Sequence, residues 1–204
     1  MKRAILAACF LAAAAWGAFS HPHMFMDTRV EVVCEQDRLE GFWITWRFDK
    51  VFTASILMDF DRDANRRLSP SEVENIREEA FSNLVHYHYF IYIRSPRGAH
   101  RPQSVEGFSA YMEGQRIHYR FFVPYRLSVG AEGVDVNLAV YDETFFCAID
   151  YEKLAPVMFA ASSSIQGSYE IREDRGIQIE YAANDGSQAS TYPRQIVLHL
   201  RRVS

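Results

Sequence analysis

Met24-Phe25-Met26-Asp27-Thr28-Arg29-Val30-Glu31-Val32-Val33-Cys34 repeats with a period of two. Met26, Thr28, Val30, Val32 and Cys34 fall on one side, and Asp27, Arg29 and Glu31 on the other. Successive side chains of a strand point to opposite faces, so the pattern predicts a strand with one buried face. The Gln36-Asp37-Arg38 stretch suits a turn, and Phe42-Trp43-Ile44-Thr45-Trp46-Arg47-Phe48 is rich in the residues that fill pleated surfaces.

The rest of the chain continues in the same style. Further strands are predicted at 85–94, 105–112, 117–123, 134–141 and 145–149, with Glu113-Gly114-Gln115 turning one hairpin. Later ones fall at 168–173, 177–181 and 195–200, with Asp174-Arg175-Gly176 as a tight turn. Helical spacing is confined to 51–58 and 71–84, where Val73, Ile76, Ala80 and Leu84 line one face. The expected fold is α+β and mainly β: an antiparallel β-sandwich-like body with an inserted EF-hand-like helix-loop-helix. The expected organisation is a signal peptide at 1–20, a β-rich domain at 21–164 with its helical insert at about 51–84, and C-terminal strands at 165–204 packed on the same body.

Composition agrees with a folded chain. Of 204 residues, 49% are hydrophobic and 24% charged, which excludes wholesale disorder. The net charge of -4 leaves no basic face for counterion release from nucleic acid.

Lys2 and Arg3 precede the apolar run 4–16, and Ala18-Phe19-Ser20 supplies small residues before a cleavage point. That is the pattern of a secretory signal, too short to stop in a bilayer. Leu6-Ala7-Ala8-Cys9 matches a lipoprotein box but would leave too small an apolar core. The processed chain is expected to be soluble and periplasmic. It keeps Cys34 and Cys147, which either pair as a disulfide or sit as separate buried thiols.

The stretch Asp61-Arg62-Asp63-Ala64-Asn65-Arg66-Arg67-Leu68-Ser69-Pro70-Ser71-Glu72 has the twelve-residue spacing of a calcium loop. Asp61, Asp63, Asn65 and Ser69 supply side-chain oxygens, Arg67 a carbonyl, and Glu72 a bidentate carboxylate. Arg66 stands where glycine usually makes the left-handed turn, at a cost of roughly 1–2 kcal/mol. The same residues also form a helix start, with Ser69 as cap, Pro70 in the first turn and Glu72 three positions on.

Processing after Ser20 exposes His21-Pro22-His23. A terminal histidine offers an amine and an imidazole to one ion, and His23 and Asp27 share a face if the chain is extended. Imidazole with carboxylate suits zinc, nickel, cobalt or copper. Pro22 lacks a backbone N–H, which argues against a site built from successive deprotonated amides. His86 and His88, read as part of a strand, form a weaker two-ligand unit. No Gly-rich phosphate loop, nucleophile elbow, Cys-x-x-Cys or His-Glu-x-x-His occurs, and Ser162-Ser163-Ser164 reads as loop. No catalytic constellation emerges, so no enzyme activity is expected.

Taken together, the His21–Asp27 segment, Trp46-Arg47-Phe48-Asp49, the Asp61–Glu72 loop and Val140-Tyr141-Asp142-Glu143-Thr144-Phe145-Phe146 resemble the bacterial domain of unknown function 1007 family. That family is described as a periplasmic component of an uncharacterised ABC-type transport system. The resemblance implies a role in transition-metal uptake, chiefly zinc, nickel or cobalt, and a metal-transport permease as partner. Carried over by position, His21, His23 and Asp27 are the metal candidates, and Asp61, Asp63, Asn65 and Glu72 the calcium-type loop, where Arg66 departs from the pattern. Two other readings stay open. One is a copper enzyme with a histidine-brace-like site that brings His86, His88 or His118 beside His21. The other is a non-catalytic envelope interaction module.

Overall fold

The computed structural model describes residues 22–160, 164–183 and 185–203. The segment 1–20 expected to be a signal peptide, His21 and residues 161–163 lie outside the described residues.

The opening alternation forms β1 (Met24–Glu35), whose even-numbered side chains from Met26 to Cys34 are buried. It pairs antiparallel with β2 (Arg38–Phe48), placing Asp27 opposite Arg47 and Thr28 opposite Trp46. Next along the sheet are β6 (Arg116–Ser128) and β5 (Glu106–Glu113). On the other side β1 takes β8 (Cys147–Tyr151) and β9 (Val157–Phe159), both parallel to it. No local pattern marks this parallel edge, because short strands joined by long connections carry no hairpin signal.

A second sheet runs β10 (Ile165–Glu173), β13 (Arg194–Arg202), β7 (Val134–Val140), β3 (Ile91–Ser95) and β4 (Gly98–His100). The C-terminal strands β10 and β13 therefore extend the sheet that holds β3 and β7. A separate ribbon joins β11 (Ile179–Ala182) to β12 (Gln188–Thr191). Buried side chains of both large sheets, among them Val30, Phe42, Trp46, Phe121, Ile93, Leu138 and Leu198, form one core. Apolar burial on this pattern, roughly 25 cal/mol per Å², is what holds the layers face to face. Gly41 sits where β2 passes closest to β6: a Cβ there would lie 2.3 Å from the Val123 carbonyl oxygen.

The helical insert follows β2. Helix α1 (Lys50–Phe60) starts at Asp49, whose Oδ1 accepts the N–H groups of Val51 and Phe52. Asp49 Oδ2 also accepts the Phe25 N–H at 2.7 Å, which fastens the helix start to β1. Helix α2 (Pro70–Ile76) runs on into a π-helical turn, Arg77–Phe81, and a 3-10 segment, Ser82–Phe90.

This corrects the strand expected at 85–94. Only Ile91–Ser95 is extended, and His88, Tyr89 and Phe90 have φ of 53°, 52° and 57°. Tyr89 and Phe90 are consecutive and both buried, which a strand with one buried face cannot achieve. The left-handed turn ends the helical run and puts both rings into the core. Among the described residues no helix is long and apolar enough to cross a membrane.

Candidate metal centre

The loop between α1 and α2 folds around its acidic side chains. Asp61 caps the end of α1. Its Oδ1 accepts the Asn65 N–H at 3.2 Å and its Oδ2 the Arg66 N–H at 2.8 Å. Those bonds hold Arg66 at φ 61° and Ala64 at φ 54°, so the chain takes the left-handed turn without glycine. The arginine that departs from the calcium pattern therefore does not prevent the pattern's backbone from forming.

Glu72 arrives from the first turn of α2. Its Oε2 accepts the Ser69 N–H and hydroxyl, each at 2.8 Å, and completes a capping box. Its Oε1 accepts the Arg62 N–H across the loop at 2.9 Å. Both carboxylate oxygens of Glu72 thus accept hydrogen bonds from the loop, one from the helix start and one from Arg62. These hydrogen bonds, Ser69 first, hold the Glu72 carboxyl below the usual carboxylate range.

One carboxylate oxygen each from Asp61, Asp63 and Glu72 lies within 4.8 Å of the others. Asn65 is hydrogen-bonded to its neighbours in the loop. Its Oδ1 accepts the Arg67 N–H at 2.6 Å while its Nδ2 donates to Asp63 at 2.7 Å. Three like charges this close repel, and a divalent ion with flexible oxygen coordination relieves the repulsion. The donor set is all oxygen, which fits Ca²⁺.

The N-terminal candidates are arranged differently from expectation. His23 is exposed, its N–H donates to the Phe146 carbonyl at 2.9 Å, and its ring lies 5.2 Å from the Phe146 ring. Asp27 does share its side of the chain. However, four residues of extended backbone separate their Cα atoms by roughly 13 Å, too far for both side chains to reach one ion. Asp27 is instead ion-paired with Arg47 at 2.5 Å. Arg47 also faces Glu152, which is bonded to Arg29.

The histidine pair is also dispersed. His86 is exposed on the 3-10 segment, and His88 Nδ1 lies 2.9 Å from Gln103 Nε2. The left-handed turn breaks the i,i+2 arrangement that a strand would have supplied. His118 is buried on β6 opposite Arg47, with Glu113 at 3.1 Å, two strands away from β1. Burial pushes its imidazole below its ordinary value.

Cys34 and Cys147 are both buried free thiols. Cys147 lies opposite Met24, at the other end of β1 from Cys34, so about 33 Å of strand separates them and a disulfide is ruled out.

Comparison with known proteins agrees with the family suggested by these motifs. The family described as "Protein of unknown function (DUF1007)" matches residues 6–180. The chain belongs to this family. An uncharacterized protein of Haemophilus influenzae is 26% identical over 180 residues, covering 85% of this chain and 84% of the relative. An uncharacterized 15.5 kDa protein in the trpE 3'region of Spirochaeta aurantia is 30% identical over 117 residues, covering 57% of this chain and 83% of the relative. The DUF1007 match spans the acidic loop, the β1 start and the segment around Asp142.

Asp49 and Asp142 stand in the DUF1007 motifs quoted above, where the sequence assigns them no role, and both hold the backbone near these sites. Asp49 couples β1 to α1, and Asp142 organises the turn before β8. Asp49 directly before a helical run was a readable cap signal; the environment of Asp142 has no local signature.

Proposed function

We propose that the processed chain is an exported, non-catalytic cation-binding protein that assists the import of zinc, nickel or cobalt by a membrane permease. Calcium would hold the Asp61–Glu72 loop closed, and the transition ion would bind at the new N-terminus. The observation that carries cation binding is the convergence of Asp61, Asp63 and Glu72 within 4.8 Å. The transition-metal role is supported by the exposed imidazole of His23, anchored by the backbone to Phe146. The link to uptake rests on the family resemblance of the His21–Asp27 segment.

In this account calcium is structural. It would tie α1 to α2 and fix the helical path that packs Ile76 and Phe81 into the core. Asp27 is not assigned to the transition ion, because Arg47 neutralises it. The ligands expected are the terminal amine and imidazole of His21 with the imidazole of His23.

Titration calorimetry tests both parts. Asp61→Asn should weaken calcium binding at least tenfold and leave zinc binding unchanged. One extra residue before His21 should weaken zinc binding at least tenfold and leave calcium unchanged. Equal zinc affinity with and without the extension would remove the N-terminal site, and absence of calcium binding to the unmodified chain would remove the loop site.

A further inference from the structure

A cavity of about 510 Å³ lies between the helical insert and the first sheet, away from the acidic loop. Its walls include Trp46, Phe48, Phe52, Phe81, Phe90 and Tyr119. These rings form a connected wall: Trp46 lies 6.1 Å from Phe48 and from Phe90, and Phe48 lies 4.4 Å from Phe52. Tyr87 and Phe146 also line it and are 52% and 51% exposed, which marks the mouth. The size is that of a small-molecule site.

One charged residue lines this cavity, and it is a carboxylate. Asp142 is 4% exposed. Thr144 donates to its Oδ1 through the backbone N–H (2.9 Å) and the hydroxyl (2.7 Å), and the Cys147 N–H donates to its Oδ2 (3.0 Å). These three donors orient the carboxylate, and none of them is a cation. Among the described residues no Lys, Arg or His lines the cavity. On its other side Asp142 borders a smaller cavity whose arginines are engaged elsewhere. Arg194 pairs with Asp150 at 2.7 Å, and Arg116 donates to the Phe48 carbonyl at 3.3 Å.

A buried carboxylate without a cationic partner is costly, and aromatic faces carry negative potential. Both features disfavour an anion and favour a positive charge with an apolar body. We propose that this cavity binds an organic cation, a substituted ammonium whose charge lies toward Asp142 and whose apolar groups pack among the rings. None of the cavity's lining residues is a proposed metal ligand, and the acidic loop does not border it.

Calorimetry of the processed protein with three probes of similar size tests it: benzyltrimethylammonium, its uncharged carbon isostere neopentylbenzene, and the anion 4-phenylbutyrate. The cation should bind at least tenfold more tightly than the isostere, and the anion should not bind. Asp142→Asn should abolish the preference for the cation. Because that change touches the turn before β8, Ala80→Phe serves as a second variant. It fills the cavity from the helical side and should remove binding while circular dichroism stays the same. Equal binding of the isostere, no binding of the cation, or unchanged binding in Ala80→Phe would each overturn the proposal.

Discussion

Asp27 of β1 and Arg47 of β2 are register partners, and their side chains meet at 2.5 Å on the outer face of the first sheet. The pair takes the only carboxylate of the His21–Asp27 segment and commits it to an arginine. A metal ion competing for Asp27 would have to strip it from Arg47 and still reach His23 roughly 13 Å along the chain. Asp27→Asn is therefore expected to leave zinc affinity within twofold, whereas His23→Ala lowers it at least tenfold. Because both partners are more than a third exposed, the loss of folding stability from Asp27→Asn should be below about 1 kcal/mol. Calorimetry and thermal melting measure the two effects on the same samples.

Arg66 holds a left-handed backbone that favours glycine. Arg66→Gly relieves roughly 1 kcal/mol of that strain, offset in part by the greater freedom glycine gives the unfolded chain. It also removes a positive charge close to the three carboxylates. The expected outcome is tighter calcium binding, by several-fold, with little change in the stability of the metal-free protein. Weaker calcium binding would show that the arginine itself supports the loop.

Glu72 sets an acid limit for the loop. Its hydrogen bonds lower its pKa in the folded state, so its stabilising contribution is complete above the unfolded value of about 4.3. As the pH falls through the lower folded value, protonation removes that contribution. Melting temperatures of the wild-type chain should thus fall as acid is added below about pH 5. Glu72→Gln should melt lower at neutral pH and show a shallower decline, because its side chain no longer titrates.

The thiols offer a check on the sheet. Burial, and secondarily Glu40, pushes Cys34 up to about 11, and burial pushes Cys147 up as well. Neither should react with a disulfide reagent at pH 8 while the protein is folded, and both should react once it is denatured. Rapid reaction of either thiol in the native state would contradict the observed placement of β1 and β8.

Much of the fold was written in local pattern. The alternation in Met24–Cys34 fixed which face of β1 is buried, and Ser69, Pro70 and Glu72 marked the start of α2. The parallel pairing of β8 and β9 with β1 depends on long connections and leaves no local trace. Residues 85–90 misled for a different reason. Their aromatic, β-favouring composition belongs to a helical run ended by three left-handed residues, where burial of Tyr89 and Phe90 outweighs propensity. In the candidate site, one carboxylate oxygen each of Asp61, Asp63 and Glu72 lies within 4.8 Å of the others, three of the six positions that the Asp61–Glu72 spacing singled out. The pairing of Asp27 with Arg47 could not be read in the same way, since it requires the register of two strands.

Native mass spectrometry of the processed chain, with an authentic His21 terminus and with calcium and zinc both present, counts the ions that each chain holds. One bound calcium and one bound zinc per chain are expected, with calcium lost in Asp61→Asn and zinc lost when a residue precedes His21. A chain that stays free of both ions at concentrations well above micromolar would contradict this expectation.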